Sequence, residues 1–590
     1  MARYVDISQL LYPPIDPSCN EIRLLYLLPG PQTAQIRCKL LTTSLKDGPH
    51  YEALSYVWGD AGDRRDILLD GHIFSITANL EVALRHLRLC DEERVLWVDA
   101  LCINQDDSKE KQQQIQEMRE IYHSAHRVLA WTGEADEGSD EALDLLNHLS
   151  EPSSFMALYE LSSNPNAFSA INFNRKWQAL CQFLNRPYWT RVWVVQELAI
   201  PGVAFGDDMQ PNRIQVGAGW TWLPISSFNV ALASFALIER SLFTSPGHMN
   251  HPEYSIHQAS PAAVQMFIVI QSCMKSTPMQ PQGIGELLHL THFLKATDPR
   301  DRVYALIALA RKEDHVLLPD YSISMTQMLR GMVRHLIEVD KNLAVLSGNR
   351  RLRNDPAEDW TSWVPDPEQY INAKRDDWRP EATPFKACTS ITPAITFSDD
   401  LRLLTVRGMI IGRISTVIGP VDVDTFPGLA SKDLAQSAMM QCLGQLEQFA
   451  SSLSKSRRET FWRTLVMDSE EREHGQRKYP APKKIGVWFD TMLDSPSGVA
   501  EASMRFYSQV GITQRCFYTT SSGEMGLGPF DTRPGDLVTM LYGGQFFYIL
   551  REVGEHYILV GDSYLHGAMF GELERKRKER DLNEMDFVLR

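Results

Sequence analysis

Three polar segments of the chain carry side chains that could bind or cleave a small molecule. Residues 59–64 and residues 99–106 each follow a short apolar run, and the third segment contains Trp193 and Glu197. Because Trp193 and Glu197 are four residues apart, both lie on one face of a helix. These segments therefore make up a candidate active site.

The elements that must position these segments alternate between strands and helices. Ala53–Val57 and Val95–Val98 are apolar runs, which predict strands buried in a sheet that is covered on both faces. Ala78–Leu89 has apolar residues at helical spacing and predicts a helix. In parallel α/β sheets, ligands bind at the carboxyl ends of the strands, which is where the first two polar segments would lie.

A well-marked helix follows the second polar segment. Asp107 can cap its start, and Glu110 stands three residues later in capping-box position. Apolar side chains then recur at helical period: Ile115, Met118, Ile121 and Ala125. The apolar run Val128–Trp131 comes next and predicts another strand. The order strand, loop, helix and strand predicts a βαβ unit, and hence a parallel pair of strands with a crossover helix.

Composition and pattern divide the rest of the chain into further regions. Short apolar runs in the C-terminal part predict a meander or a small barrel. The glycine-rich Gly523–Pro529 predicts a turn there, because a strand and not a helix follows it. The predicted regions are an N-terminal extension (1–47), an α/β domain (48–200), a helical middle region (201–355), and a β-rich C-terminal domain (356–590) with a helical insertion at about 430–500.

Composition argues against several classes of protein. The net charge of −15 opposes nucleic acid as the main partner, because phosphate backbones select basic surfaces. Nine scattered cysteines form no C-x-x-C pair, and no histidine cluster has zinc spacing, so we expect reduced thiols and no structural metal. No apolar run reaches the ~18 residues of a membrane span, and the N-terminal residues lack a signal core. We expect a cytoplasmic protein without a membrane span.

Three blocks of sequence resemble, in order, the HET domain of fungal heterokaryon-incompatibility proteins. They are Tyr51–Gly59 (YEALSYVWG), Leu96–Asp106 (LWVDALCINQD) and Arg186–Glu197 (RPYWTRVWVVQE). Residues 298–306 (DPRDRVYAL) and 319–321 (PDY) are also typical of such proteins. The resemblance implies an effector of self/non-self recognition or innate immunity that triggers programmed cell death or growth arrest.

A more distant likeness suggests a mechanism. HET domains resemble TIR domains, which have a flavodoxin-like parallel sheet, and Trp193-x-x-x-Glu197 is similar to the TIR W-x-x-x-E segment. In enzymatic TIR domains that glutamate supports cleavage of the nicotinamide–ribose bond of NAD. The resemblance thus implies that Glu197 is catalytic, that NAD is a substrate, and that no cofactor is needed. The residues expected to bind the substrate are Ser55, Trp58, Gly59, Asp99, Asn104, Arg191 and Trp193.

Structural explanations for the same residues stay open. Glu197 could form an ion pair with Arg191, Trp193 could be core packing, and Asp99 could cap the turn after its strand. The competing hypothesis for function is a non-enzymatic, TIR-like signalling or adaptor module that acts through self-association. The chain has no G-x-x-x-x-G-K-[ST] motif, so clustering would use its own surfaces or those of a partner that the sequence does not identify. An enzyme requires Glu197 in an open pocket among polar groups, whereas an adaptor can bury it in an ion pair.

Overall fold

The protein divides into two compact units, Met1–Ser322 (unit 1) and Ile323–Arg590 (unit 2). The computed structural model describes residues 11–151, 173–202, 213–233, 263–264, 266–270, 282–348, 359–365, 383–419, 442, 444–471, 477–494, 515–576 and 584–590. Parts of the predicted middle region and of the predicted helical insertion at about 430–500 lie outside the described residues.

In the described part of unit 1, nine strands form a single mixed sheet. They are β1 (Glu21–Leu27), β2 (Arg37–Ser44), β3 (Glu52–Ser55), β4 (Arg64–Leu69), β5 (His72–Thr77), β6 (Arg94–Trp97), β7 (Arg127–Trp131), β8 (Ile214–Ala218) and β9 (Thr221–Pro224). Their order across the sheet is β5-β4-β2-β1-β6-β3-β7-β8-β9. Residues assigned from the sequence to an N-terminal extension therefore supply β1 and β2 of this sheet.

The middle of the sheet is parallel. Strand β3 pairs in parallel with both β6 and β7, and β7 pairs in parallel with β8. The predicted βαβ unit is present, but β6 and β7 are not adjacent, because β3 lies between them. The turn at Asp70–Gly71 makes an antiparallel hairpin of β4 and β5. The carboxyl ends of β3 and β6 thus lie side by side at one edge of the sheet.

Helices connect these strands and follow them. They are α1 (Ala78–Leu87), α2 (Asp99–Cys102), α3 (Ser108–Ser124), α4 (Ser139–Leu149), α5 (Phe173–Leu184), α6 (Trp193–Gly202), α7 (Ile284–Leu290) and α8 (Asp301–Ile307). Asp107 caps α3 as predicted, since its carboxylate accepts hydrogen bonds from the backbone N–H groups of Lys109 and Glu110. The apolar stripe of α3 is buried, and Ile121 has no exposed surface.

Unit 2 contains a closed barrel in its described part. The strands in the described part of unit 2 are β10 (Ile395–Phe397), β11 (Leu404–Ile418), β12 (Glu470–Glu471), β13 (Arg477–Lys478), β14 (Arg515–Thr520), β15 (Met525–Pro529), β16 (Leu537–Leu541), β17 (Phe547–Val553), β18 (His556–Leu565) and β19 (Glu584–Leu589). Strands β12 and β13 form a separate two-stranded sheet. Strand β11 pairs with β14 at its C-terminal end and with β16 along its middle, residues 408–413, so the path β11-β14-β15-β18-β17-β16 returns to β11. The helices of this unit are α9 (Met325–Asp340), α10 (Lys455–Leu465), α11 (Lys483–Asp494) and α12 (Glu572–Arg575).

The turn predicted at Gly523–Pro529 is wrong for most of its length. Met525–Pro529 is strand β15, which is buried and pairs with β14 and β18. The glycines serve close packing, because a Cβ at Gly526 would lie 2.3 Å from the Tyr518 hydroxyl. Only the segment around Gly523, whose φ is +94°, makes a turn.

The predicted fold class is confirmed: an α/β unit with parallel strands comes first, helices follow, and an antiparallel β-rich unit comes last. Within the described residues, no helix has the length and apolar character needed to cross a membrane. The likeness to TIR domains stays a prediction.

Candidate active site

A cavity of about 420 Å³ opens in unit 1 where strands β3 and β6 end. Residues 57–59 follow β3 and Asp99 follows β6, and all of them line the cavity. Helix α6 and the turn before it supply a third side through Arg191, Trp193 and Glu197. The three polar segments singled out from the sequence therefore meet at one place, as expected for the carboxyl edge of a parallel sheet.

Glu197 is the most buried carboxylate of the cavity, with only 3% of its surface exposed. The Ser55 hydroxyl donates a hydrogen bond to its Oε2, and Ser55 Oγ lies 2.7 Å from the Tyr188 hydroxyl. Burial raises the pKa of Glu197 to about 7, although Arg191 and the Ser55 hydrogen bond act to lower it. Ser55 does not line the cavity but holds the carboxylate from behind.

Arg191 is the cationic residue that lowers the pKa of Glu197, and both side chains line the cavity. Its guanidinium donates a hydrogen bond to the Tyr56 carbonyl oxygen and lines the cavity. Over the part of the chain that the structure describes, Glu197 has no basic group within ion-pair distance. Glu197 and Arg191 therefore share the cavity as separate charges, and the ion pair that the sequence left open is not formed.

Asp99 fixes one aromatic wall of the cavity. The Trp58 indole N–H donates to Asp99 Oδ2 over 2.8 Å, and the Ala100 backbone N–H donates to Oδ1 over 2.7 Å. Burial raises the pKa of Asp99, while Arg191 and these hydrogen bonds lower it. Gly59 makes the turn after Trp58 with φ +80°, a conformation that favours glycine, and a Cβ there would lie 3.1 Å from that of Asn79.

Asn104 lies outside the cavity lining, in a loop held from below. Its backbone N–H donates to Glu110 Oε1 over 2.7 Å, and its side chain accepts from the Asp106 backbone. The neighbouring Gln105 lines the cavity instead and donates to the Asp99 carbonyl oxygen. Of the eight predicted site residues, six line the cavity, Ser55 supports Glu197, and Asn104 shapes the loop.

Buried charge anchors this loop. Arg23 on β1 and Glu110 on α3 form a two-point ion pair, with N–O distances of 2.6 and 3.0 Å. Arg23 also donates to the Cys102 carbonyl oxygen. Glu110 thus does not complete a capping box, because its carboxylate faces Arg23 and the Asn104 N–H.

Among the lining side chains that the sequence did not assign to the site are Lys111, Asp298, Asp301 and Tyr321. Lys111 comes from α3, and the other three come from residues 295–321, more than 90 residues beyond Glu197 in the chain. The sequence motifs around Asp298 and Tyr321 were recognised as typical of the family, but no local pattern shows where they dock.

The cavity combines apolar walls with charges of both signs. Lys111, Arg191 and Lys295 carry positive charge, whereas Asp99, Glu197, Asp298 and Asp301 carry carboxyl groups. Such a lining suits a ligand that has a planar ring and both cationic and anionic groups. Within the described residues, no group of three histidine, cysteine or acidic side chains is placed to hold a metal ion.

Comparison with known families identifies the domain that holds this cavity. The family profile of the heterokaryon incompatibility protein (HET) matches residues 51–197. The chain thus carries a HET domain over residues 51–197. The matched range begins just before β3 and ends at Glu197, so it includes every predicted site residue and stops before residues 295–321.

Further similarities extend beyond the HET domain. The profile of the Het-6 beta-barrel domain matches residues 490–585, which include strands β14 to β18 of the barrel. A curated relative, "Heterokaryon incompatibility protein 6, OR allele" of Neurospora crassa, is 25% identical to the chain, and 96% of each chain is covered. No solved structure matches the chain.

Proposed function

We propose that this HET-domain protein is a heterokaryon-incompatibility effector that triggers cell death or growth arrest by hydrolysing NAD in the cavity of unit 1. The observation that carries the proposal is Glu197: a buried carboxylate that lines a cavity, is held by Ser55, and is not ion-paired within the described residues. The printed name of the Neurospora relative supports the biological part of the proposal.

The proposed reaction is hydrolysis of the nicotinamide–ribose bond. The bond between the pyridinium nitrogen and C1′ of the ribose breaks, and its electron pair goes to the nitrogen, which makes nicotinamide neutral. Water then forms a bond to C1′ and loses a proton to solvent, so the products are ADP-ribose, nicotinamide and a proton. The leaving group needs no protonation, so the protein has to stabilise positive charge on the ribose and to admit one water.

Glu197 is suited to that task in its ionised form. Because burial raises its pKa to about 7, the carboxylate is only partly ionised in the empty protein at neutral pH. A cationic pyridinium ring in the cavity would favour the ionised form, since an opposite charge nearby lowers the pKa of a carboxyl. Substrate binding itself would therefore generate the charge that stabilises the oxocarbenium-like transition state.

The remaining predicted residues have supporting roles in this proposal. Asp99, partly buried, fixes the Trp58 ring and adds negative charge, and Arg191 supplies a cation for the diphosphate. Trp193 lines the cavity one helical turn before Glu197, where its indole can pack against a planar ring. Each role requires side chains that share the cavity, and these do.

The test is NAD loss and nicotinamide release by the purified full-length protein, with and without a crowding agent. Glu197→Gln keeps the size of the side chain and an acceptor for Ser55 but removes the charge. We expect it to lower turnover on the order of 10²- to 10³-fold, as removal of a transition-state charge partner does elsewhere. Glu120→Gln makes the same change on the exposed face of α3 and should keep full turnover.

The competing adaptor hypothesis gives the opposite result. No nicotinamide release by the wild-type protein, even when it is clustered artificially, would exclude NAD cleavage. Self-association measured by light scattering that is unchanged in Glu197→Gln would then favour a TIR-like signalling module.

A further inference from the structure

One wall of the cavity comes from a segment that lies outside the HET-matched residues. Lys295 joins this segment to the turn before α6: the Val192 N–H donates to the Lys295 carbonyl oxygen over 3.0 Å, and the Lys295 N–H donates to the Thr190 carbonyl oxygen over 2.6 Å. This strand-like contact places residues 295–301 beside Arg191 and Trp193.

Asp301, the first residue of α8, links helix α6 to Tyr321 through hydrogen bonds. The Trp193 indole N–H donates to Asp301 Oδ2 over 3.1 Å, and the Tyr321 hydroxyl donates to Oδ1 over 2.6 Å. Trp193, Asp301 and Tyr321 all line the cavity. One carboxylate thus fixes two aromatic rings, and one of them belongs to the helix that carries Glu197.

The Tyr321 ring is held from other directions as well. The Lys111 ammonium lies 5.2 Å and the Arg300 guanidinium 5.1 Å from its ring centre, both at distances of cation–π contact. Arg300 also donates to the Tyr321 carbonyl oxygen over 2.9 Å and pairs with Asp298 at 2.6 Å. The Tyr321 side chain is thus held by Asp301, Lys111 and Arg300, which indicates that this wall of the cavity is already formed without a ligand.

We propose that Asp301 is a positioning residue of the substrate site, which holds the Trp193 and Tyr321 rings as the wall against which the planar ring of a nucleotide packs. Residues 295–321 are then an integral part of the site, although the HET match ends at residue 197. The inference rests on the proposed function, because it names a wall for the same nucleotide.

The substitutions of Asp301 separate its hydrogen bonds from its charge. Asp301→Ala removes both acceptors, so the Trp193 indole N–H and the Tyr321 hydroxyl lose their hydrogen bonds to this residue. Asp301→Asn keeps an oxygen that can accept from the Trp193 indole and an amide that can donate to the Tyr321 oxygen. Asp320→Asn is the matched control, because Asp320 stands beside Tyr321, yet among the described residues its carboxylate accepts hydrogen bonds from Ser322 alone.

Steady-state kinetics of the full-length chain with NAD give the first readout. We expect Asp301→Ala to raise KM on the order of tenfold, as the loss of about 1.4 kcal/mol of binding free energy does. Its kcat should change by less than about threefold, because Glu197 and its Ser55 hydrogen bond are untouched. Asp301→Asn should restore KM to within about threefold of the wild type, and Asp320→Asn should match the wild type.

Deuterium uptake gives a second readout that does not depend on NAD. The peptide that covers residues 190–198 should exchange faster in Asp301→Ala than in the wild type, whereas Asp301→Asn and Asp320→Asn should not differ from the wild type. If Asp301→Ala does not fold, Tyr321→Phe, which removes only one hydroxyl, should raise KM and leave kcat in place.

Two results would overturn the inference. One is an Asp301→Ala protein with wild-type KM and wild-type uptake at residues 190–198. The other is an Asp301→Asn protein as impaired as Asp301→Ala, because then charge and not ring position would matter. A wild-type protein that does not cleave NAD would contradict the proposed function alone, and the uptake comparison would still decide the role of Asp301.

Discussion

Replacing Glu197 by glutamine should stabilise unit 1 at neutral and alkaline pH. In the folded protein, burial raises the pKa of this carboxyl from its ordinary value of 4.5 to about 7. Between these two values, the folded carboxyl keeps its proton while the unfolded one has lost it. The folded state then binds more protons, so the free energy of unfolding falls as the pH rises from about 4.5 to about 7.

The size of this destabilisation follows from the two pKa values. A pKa difference of about 2.5 at about 1.4 kcal/mol for each pH unit gives roughly 3 kcal/mol of lost stability above pH 8. Because the side chain is only 3% exposed, little solvent screening reduces it. Glutamine does not ionise, so Glu197→Gln should regain this free energy and raise Tm by roughly 5 °C at pH 8.

The assay is thermal unfolding of the wild type, Glu197→Gln and Glu120→Gln between pH 4.5 and 9. The difference in Tm between Glu197→Gln and the wild type should be near zero at pH 4.5, grow through pH 6 and level off above pH 8. Glu120→Gln should show no such trend, because Glu120 is exposed. A Tm difference for Glu197→Gln that is independent of pH would refute the reasoning, since the carboxyl would then not be kept protonated by burial.

Two further predictions concern residues that support the site. Ser55→Ala removes the hydrogen bond that favours ionised Glu197, so the pKa of Glu197 should rise further. The acid limb of the pH profile of kcat/KM for NAD should therefore move to higher pH. An acid limb at the wild-type pH would contradict this prediction. Arg23→Met leaves the Glu110 carboxylate buried without its cation. The free energy of unfolding, measured by urea denaturation, should therefore fall by about 3–5 kcal/mol. The double variant Arg23→Met/Glu110→Leu should lose less than Arg23→Met, and an equal or larger loss would mean that the pair itself, not the stranded charge, supplies the stability.

The parallel part of the sheet was predictable because its signals are local. The strand around Leu96 is a continuous apolar run. Helix α3 is predicted by the Asp107 cap and by an apolar stripe that includes Met118 and Ile121. The adjacency of strands was not predictable in the same way. Strand β3 enters between β6 and β7, and no property of its four residues, Glu52–Ser55, encodes that position.

In the candidate site, too, residues with local sequence signals were predictable, and residues placed by the packing of distant segments were not. Trp58 and Asp99 could be placed together, because each follows a strand and the carboxyl ends of parallel strands meet. Asp301 and Tyr321 could not, because the hydrogen bond between Trp193 and Asp301, which also accepts from Tyr321, depends on the docking of a segment about 100 residues away in sequence. Glu110 shows a different difficulty: its spacing from Asp107 suited a capping box, but a buried Arg23 offered the stronger partner.

The closed barrel has a consequence for the order in which the chain acquires its structure during synthesis. Strand β11 pairs Gly408 with Leu541 and Ile418 with Phe517, so its barrel neighbours β16 and β14 leave the ribosome about 100 residues or more after it. Strand pairs this far apart in the chain form late in folding, because closing the long intervening segment costs entropy that only the completed pairing offsets. Unit 1, by contrast, has every strand of its described part once Pro224 has been made and its cavity wall once Tyr321 has been made. The nascent chain therefore completes the pocket that contains Glu197 while the barrel is still open, so the proposed cleavage of NAD would not have to wait for the C-terminal strands to pair.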